Sequence, residues 1–272
     1  KTLICLYYLL KTVIFNRNSL VLSFQSNLFS ILICKILFIK IITRSNSFPG
    51  DWTESIIKKV IFKKFYQLAN LTIVNSIAVK KKFKKFYNIN ATHIYNPINK
   101  LKIIKLSKKK NFKVSKKKNL LKLIMVARLS KEKDHITFLK SLNLIKDTVN
   151  FQATILGSGE LYNEIKNIIS NFKLNKKIRI IRYKKNPYPF IKNSDILILS
   201  SLHEGLPNVL IEAALLKTFI ISSNCETGPR EILLNGRAGC LFKVKDFRGL
   251  ARKIIYYWNK KKKKKKNERI RV

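Results

Sequence analysis

From residue 120 to residue 258, short apolar runs alternate with segments of helical spacing, and this alternation constrains the fold more than any other feature of the chain. The strands so expected fall at 120–126, 152–156, 177–182, 196–200 and 219–223. Segments of helical spacing follow at 134–145, 160–172, 188–193, 207–216, a turn at 229–234, and 248–258. Strands separated by helices must cross over, so the sheet is expected to be parallel and covered on both faces. The first part of the chain repeats the pattern with fewer units. Strands are expected at 19–24, 38–43, 71–75 and 93–95, and helices at 27–35, 54–67 and from Ser76, a suitable N-cap, to 86. Residues 28–42 are apolar but carry Lys35 and Lys40 and are too short to cross a bilayer comfortably, so buried elements are expected there.

The most informative segment is Ser200–Ala213, SSLHEGLPNVLIEA. It follows the apolar run Ile196-Leu197-Ile198-Leu199, which reads as a buried strand. A turn at Glu204-Gly205-Leu206 leads to Pro207 at an expected first helical position, and Val209, Leu210, Ala213 and Ala214 recur at helical spacing. The unit places Glu204 and Glu212 at the carboxyl end of a parallel strand, the edge at which open α/β sheets bind ligands. The backbone N–H groups of Gly205, Leu206 and Asn208, on either side of Pro207, suit an anion. Carboxylates beside such a cradle suit sugar and ribose hydroxyls, which donate hydrogen bonds.

This unit resembles the E-x7-E motif of the family 4 retaining glycosyltransferases, which have the GT-B fold. Val126-Ala127-Arg128-Leu129-Ser130-Lys131-Glu132-Lys133-Asp134 resembles that family's nucleotide-diphosphate clamp, although the family usually has Gly where Ala127 stands and often where Asp134 stands. Ile155-Leu156-Gly157-Ser158-Gly159-Glu160-Leu161 resembles its G-x-G-x-L turn, and Gly228-Pro229-Arg230-Glu231 follows the next strand as in members that build lipopolysaccharide and capsule. The resemblance implies two Rossmann-like domains facing a cleft. The expected division is a partial acceptor-side domain at 1–99, a basic linker at 100–118, a nucleotide-sugar domain at 119–259 and a basic tail at 260–272. The family's opening strand and Gly-rich turn have no counterpart here, so an N-terminally truncated chain is expected. The seven lysines 260–266 stand where a returning helix is usual and are expected to fray.

The net charge of +43 invites a nucleic-acid reading, but Lys outnumbers Arg 46 to 11, and readers of base edges favour Arg. The charge is also concentrated: residues 100–118 hold ten Lys and no acid, and 260–272 carry a net +8. No nucleic-acid module is visible. Residues 1–131 contain two acids, Asp51 and Glu54, so an anionic membrane surface is an expected partner of the first domain. The four cysteines, Cys5, Cys34, Cys225 and Cys240, show no paired spacing, and His93, His135 and His203 are scattered, so neither disulfides nor zinc is expected.

The resemblance assigns Arg128 and Lys133 to the diphosphate, Glu204 to the donor sugar, Glu212 to the ribose, and Gly157 and Gly159 to close approach of the nucleotide. Arg44, at a strand end, can meet an anionic group. The chain has no Asp-x-Asp, so transfer without a metal cofactor is expected. The function so implied is retaining transfer from a nucleotide-sugar, UDP-linked by expectation, to a lipid-linked or polysaccharide acceptor at the inner face of the cell membrane. The alternatives are a basic nucleic-acid-binding protein and an inactive donor-binding fragment.

Overall fold

The computed structural model describes residues 2–24, 27–52, 55–109 and 119–270. The chain divides into two compact units, Lys1–Pro97 and Ile98–Val272. The first contains α1 (Thr2–Phe15), β1 (Leu20–Ser23), α2 (Asn27–Ile36), β2 (Lys40–Ser45), α3 (Ile56–Leu68), β3 (Leu71–Val74), α4 (Ile77–Lys82) and β4 (Thr92–His93). The strands pair in chain order, all parallel. Ser76 caps α4 as expected, its hydroxyl accepting the Val79 amide at 3.1 Å. The core has two parts. Val13, Ile31, Cys34, Ile39 and Ile41 form one, and a largely aromatic cluster of Phe48, Tyr66, Phe83 and Tyr87 forms the other. Helix α1 was not anticipated; Val13 anchors it, whereas Leu3, Ile4 and Phe15 stay exposed.

The second unit contains α5 (Lys100–Ser107), β5 (Leu121–Val126), α6 (His135–Ile145), β6 (Phe151–Leu156), α7 (Tyr162–Asn171), β7 (Ile178–Ile181), α8 (Tyr188–Lys192), β8 (Ile196–Leu199), α9 (Asn208–Leu215), β9 (Phe219–Ser223), α10 (Pro229–Ile232), β10 (Cys240–Phe242) and α11 (Phe247–Ile270). Its six parallel strands run in the order β10-β9-β8-β5-β6-β7. The pleat sends alternate residues to opposite faces. Leu123, Met125, Ile196 and Ile198 therefore join one core layer with α6, α7 and α11, while Ile124, Leu197 and Leu199 join the other with α5, α8 and α9. Both layers need apolar partners, which is why Ile196–Leu199 reads as an unbroken apolar run. Each of those side chains is worth about 1.5–3 kcal/mol of burial.

Two expectations are corrected here. The segment expected as a linker from residue 100 begins with α5, whose Ile103 is buried against the α8–α9 layer and whose Leu106 carbonyl accepts from the Asn186 side chain at 3.0 Å. Asn99 caps this helix, its side chain accepting the Lys102 amide at 2.9 Å. The rest of that segment, 110–118, lies outside the described residues. At the other end, α11 does not stop at Trp258 but runs through the lysines to Ile270. Trp258 is buried in the core, Lys261 pairs with Asp195 beside the start of β8, and the Lys262 ammonium lies 4.8 Å from the Trp258 ring centroid. Lysine is a good helix former, and cations suit a helix C-terminus. Strand β10, three residues long, was also not anticipated. Among the described residues no helix is long and apolar enough to cross a membrane.

His135, the first residue of α6, is 1% exposed, and neither ring nitrogen has a hydrogen-bond partner. Burial, with the Lys133 charge adding to it and Glu132 opposing, holds its pKa down at about 4, from an ordinary 6.5. As pH falls through 6.5 the unfolded chain takes up a proton that the folded chain refuses until about 4. The stability tied to this group is therefore full above 6.5 and lost across that window, on the order of 3 kcal/mol. The wild-type chain should lose melting temperature between pH 6.5 and 4 more steeply than His135→Gln. Parallel melting curves for the two would assign the loss to some other group.

Candidate functional site

The strand order of the second unit reverses between β5 and β8, which pair directly at Leu123–Ile196 and Ile124–Leu197. Loops leaving the carboxyl ends of these strands diverge, and such a switch point is where open α/β sheets hold ligands. Arg128 and Lys133 leave β5, and Glu204 leaves β8, so the fold brings the expected residues to that edge.

The two loops are tied to each other. The Leu202 amide donates to the Glu132 carbonyl at 2.8 Å. The buried Ser200 hydroxyl lies 3.1 Å from the Lys133 carbonyl and 2.8 Å from that of Asp134. Across this seam the Lys133 ammonium meets Glu204 Oε1 at 2.7 Å, and the Ser201 hydroxyl donates to the same oxygen at 2.6 Å. Lys133 and Glu204 retain 18% and 10% side-chain exposure, so the pair is mostly withdrawn from solvent. Asp134 follows in the left-handed region, with φ of 43°, and its carboxylate caps α6 through the Thr137 amide and hydroxyl at 3.1 and 2.6 Å. That backbone conformation accounts for the resemblance to sequences with Gly at this place. Arg128 is set apart from this pair, 77% exposed and bridged to Glu132 at 2.9 Å.

A third loop, after β9, holds the Glu204 turn from behind. Ser223 and Cys225 both donate to the Ser201 carbonyl, at 2.7 and 3.0 Å, and the Thr227 hydroxyl donates to the Glu204 carbonyl. Burial pushes the Cys225 thiol up to about 11, so it remains a protonated donor. Gly228 has φ of +82°, and a Cβ there would lie 2.4 Å from the Gly205 carbonyl oxygen. Gly205, Leu206 and Pro207 are buried, and Asn208 is exposed. Pro207 is the N-cap of α9 and not its first helical residue, with Asn208 beginning the helix.

Glu212 lies within α9, half-buried, with the Tyr188 hydroxyl 3.5 Å from its Oε1. Burial raises the Glu212 pKa above the ordinary carboxylate value, and the Tyr188 hydroxyl works against that rise. Burial, and then the Glu212 charge, raise the tyrosine in turn. The turn Gly157-Ser158-Gly159 has a requirement of its own. A Cβ on Gly157 would sit 1.8 Å from the Ala127 carbonyl oxygen, and one on Gly159 would sit 2.3 Å from that of Leu129. The Leu129 amide donates to the Ser158 carbonyl, and the Leu161 amide to the Leu129 carbonyl, both at 3.0 Å. Both glycines thus let the β6–α7 turn lie against the backbone that carries Arg128.

In the first unit Arg44, at the end of β2, donates to Asn96 Oδ1 at 2.8 Å. Sequence reasoning gave no role to Ser200, Ser201, Tyr188 or Thr227, nor a packing role to Gly228. Ser200 and Ser201 stand inside the quoted Ser200–Ala213 segment, four and three residues before Glu204, whereas Tyr188 and Thr227 lie 24 and 23 positions from Glu212 and Glu204. Among the described residues no group of three His, Cys, Asp or Glu side chains is placed to hold a metal ion.

The family model described as "Glycosyl transferases group 1" matches residues 107–271. An uncharacterized glycosyltransferase of Methanocaldococcus jannaschii is 33% identical over 199 residues, covering 67% of this chain and 47% of that protein. The UDP-Gal:alpha-D-GlcNAc-diphosphoundecaprenol alpha-1,3-galactosyltransferase of Escherichia coli is 29% identical over 138 residues, covering 48% of this chain and 35% of its own length. The chain therefore spans about half of the first relative and about a third of the second. The crystal structure of HepE from Anabaena in complex with UDP-glucose aligns with a TM-score of 0.77 at 17% identity, over 95% of this chain and 73% of that one. The architecture is that of the GT-B glycosyltransferases, an α/β fold with two parallel sheets.

The glycine analysis makes a direct prediction. Gly157→Ala and Gly159→Ala should each lower stability by about 1–3 kcal/mol, because backbone must move to admit the methyl group. Thermal melting reads this, and unchanged melting temperatures would mean the two loops are not zipped as described.

Proposed function

The chain belongs to the group 1 glycosyl transferases, and from that premise we propose that it moves a sugar from a uridine-diphosphate donor to a lipid-linked or polysaccharide acceptor in cell-surface glycan synthesis. The observation that carries this reading is the convergence of Lys133 and Glu204 at the switch point of the six-stranded sheet, with Glu212 on the helix that follows. The Escherichia coli relative is named for a UDP-sugar donor and a diphosphoundecaprenol acceptor, and the Anabaena structure holds UDP-glucose.

In this reading Lys133 and Arg128 meet the diphosphate. Positive charge already fixed where the leaving group gains negative charge is a strong means of lowering such a barrier. Glu204 accepts hydrogen bonds from the sugar hydroxyls, and Glu212 accepts them from the ribose. The bond from the anomeric carbon to the diphosphate oxygen breaks as that from the acceptor oxygen forms on the same face. The acceptor proton passes to the departing phosphate, so configuration is retained without a dedicated base. The diphosphate is neutralised by these side chains, without a metal cofactor.

Uridine diphosphate should bind with equal affinity in EDTA and in magnesium, as read by calorimetry, and labelled sugar should pass from a UDP-sugar to membrane glycolipid extracts. Loss of all nucleotide binding in EDTA would sink the metal-free reading. Glu212→Gln separates site from scaffold. A buried hydrogen bond to a charged group is worth about 1.5–3 kcal/mol, so affinity for uridine diphosphate should fall more than tenfold. The same variant should melt no lower than wild type at pH 7, since it removes a carboxylate that burial disfavours in its charged form. Any gain should shrink as pH falls through the raised Glu212 pKa, because the wild-type group then takes up its proton. A variant that melts lower yet binds normally would make Glu212 a structural residue.

A further inference from the structure

Helix α3 turns one apolar face inward and another outward. Inward, Tyr66 is buried with Phe48, Phe83 and Tyr87, and Phe62 packs against that cluster. Outward, Ile56 is 76% exposed, Ile57 73%, Val60 46%, Ile61 42% and Leu68 50%. At about 100° per residue, Ile57, Ile61 and Leu68 share one stripe, with Ile56 and Val60 beside it. Lys58, Lys59, Lys63 and Lys64 are exposed among them, and the helix contains no acid. The surrounding surface has the same sign. Residues 1–97 hold 15 basic and two acidic residues, and one of the two, Asp51, is already paired with Lys82 at 2.6 Å.

Three occupants can be compared by their chemistry. A second copy meeting this face about a two-fold axis would bring four lysines against four lysines. A nucleic acid would take the lysines but leave the isoleucines in water. An anionic bilayer surface takes both, with basic side chains at the headgroups and apolar ones at the acyl boundary. We propose that α3 is an interfacial helix that seats the first unit on anionic lipid, with Ile57 and Ile61 entering the acyl boundary and Lys58 and Lys64, the lysines nearest that stripe, meeting lipid phosphates. The inference rests on the surface of the first unit and not on the nucleotide reading, so the two can fail separately.

The test is co-sedimentation of the full chain with vesicles of mixed phosphatidylglycerol and phosphatidylcholine, and of phosphatidylcholine alone, at about 0.15 M salt, where long-range adsorption is screened. Wild type should bind the anionic vesicles and leave the zwitterionic ones. Ile57→Ser with Ile61→Ser should weaken partitioning at least about tenfold. Lys58→Gln and Lys64→Gln should each weaken it about fivefold. Melting temperature and uridine diphosphate affinity should not move in either set, and the lysine set carries the test if the isoleucine pair folds poorly. Wild type that ignores anionic vesicles, or an isoleucine pair that binds them like wild type, overturns the proposal. A self-association lost in the isoleucine pair with vesicle binding intact would assign the face to a second copy and overturn it equally.

Discussion

The docking of the loop after β8 onto the loop after β5 is the constraint on which the candidate site depends. Two parallel strands at a switch point send their chains apart, and nothing in sheet geometry alone makes the loops meet. Here buried hydroxyls and backbone amides make them meet: Ser200 reaches the carbonyls of Lys133 and Asp134, and the Leu202 amide reaches that of Glu132. The seam positions the Lys133 ammonium on the Glu204 carboxylate. A buried charge left without its partner is costly, so each of the two side chains fixes the other. The β9 loop then closes the back through Ser223, Cys225 and Thr227.

That arrangement shapes what the site can do. In the proposed reaction Lys133 cannot meet a diphosphate without sharing or leaving Glu204, and Glu204 cannot turn wholly to a sugar hydroxyl without loosening Lys133. On that proposal, a donor bearing both diphosphate and sugar offers each side chain a new partner at once, whereas either fragment alone satisfies one and strands the other. Arg128, exposed and bridged to Glu132, would be a cheaper cation to recruit in that reaction, since surface pairs of that kind are worth about 0–1 kcal/mol. Glu212 stands in the opposite situation. Its burial works against its own charge.

Much of the second unit was legible because its strands are buried on both faces. The run Ile196–Leu199 has no polar interruption, and Phe219–Ser223 fell on the strand as expected. The placement of Glu204, Glu212 and Lys133 near the carboxyl edge of the sheet was legible because they belong to local strand–turn–helix units. What escaped was set by tertiary packing. Helix α5 lies in a lysine-rich stretch whose few apolar residues gain meaning only from the α8–α9 groove that buries Ile103. The lysines after Trp258 read as self-repelling, but Asp195 takes Lys261 and the tryptophan ring takes Lys262. Gly157 and Gly159 read as a nucleotide turn, yet the nearest cause of their missing side chains is the protein's own Ala127 and Leu129 backbone. Tyr188 and Thr227 lie 24 and 23 positions from the residues they serve, too far for any spacing rule.

The most direct test of the account is a calorimetric comparison of uridine diphosphate and a UDP-sugar binding to wild type and to Glu204→Gln. The amide keeps the shape of the turn and releases Lys133 from its counter-charge. The account predicts that the variant holds uridine diphosphate at least as tightly as wild type while losing about tenfold or more of its affinity for the UDP-sugar, the weight of a hydrogen bond to a charged group. An equal loss for both ligands would contradict it, because Glu204 would then support the fold of the site and not divide Lys133 between carboxylate and diphosphate.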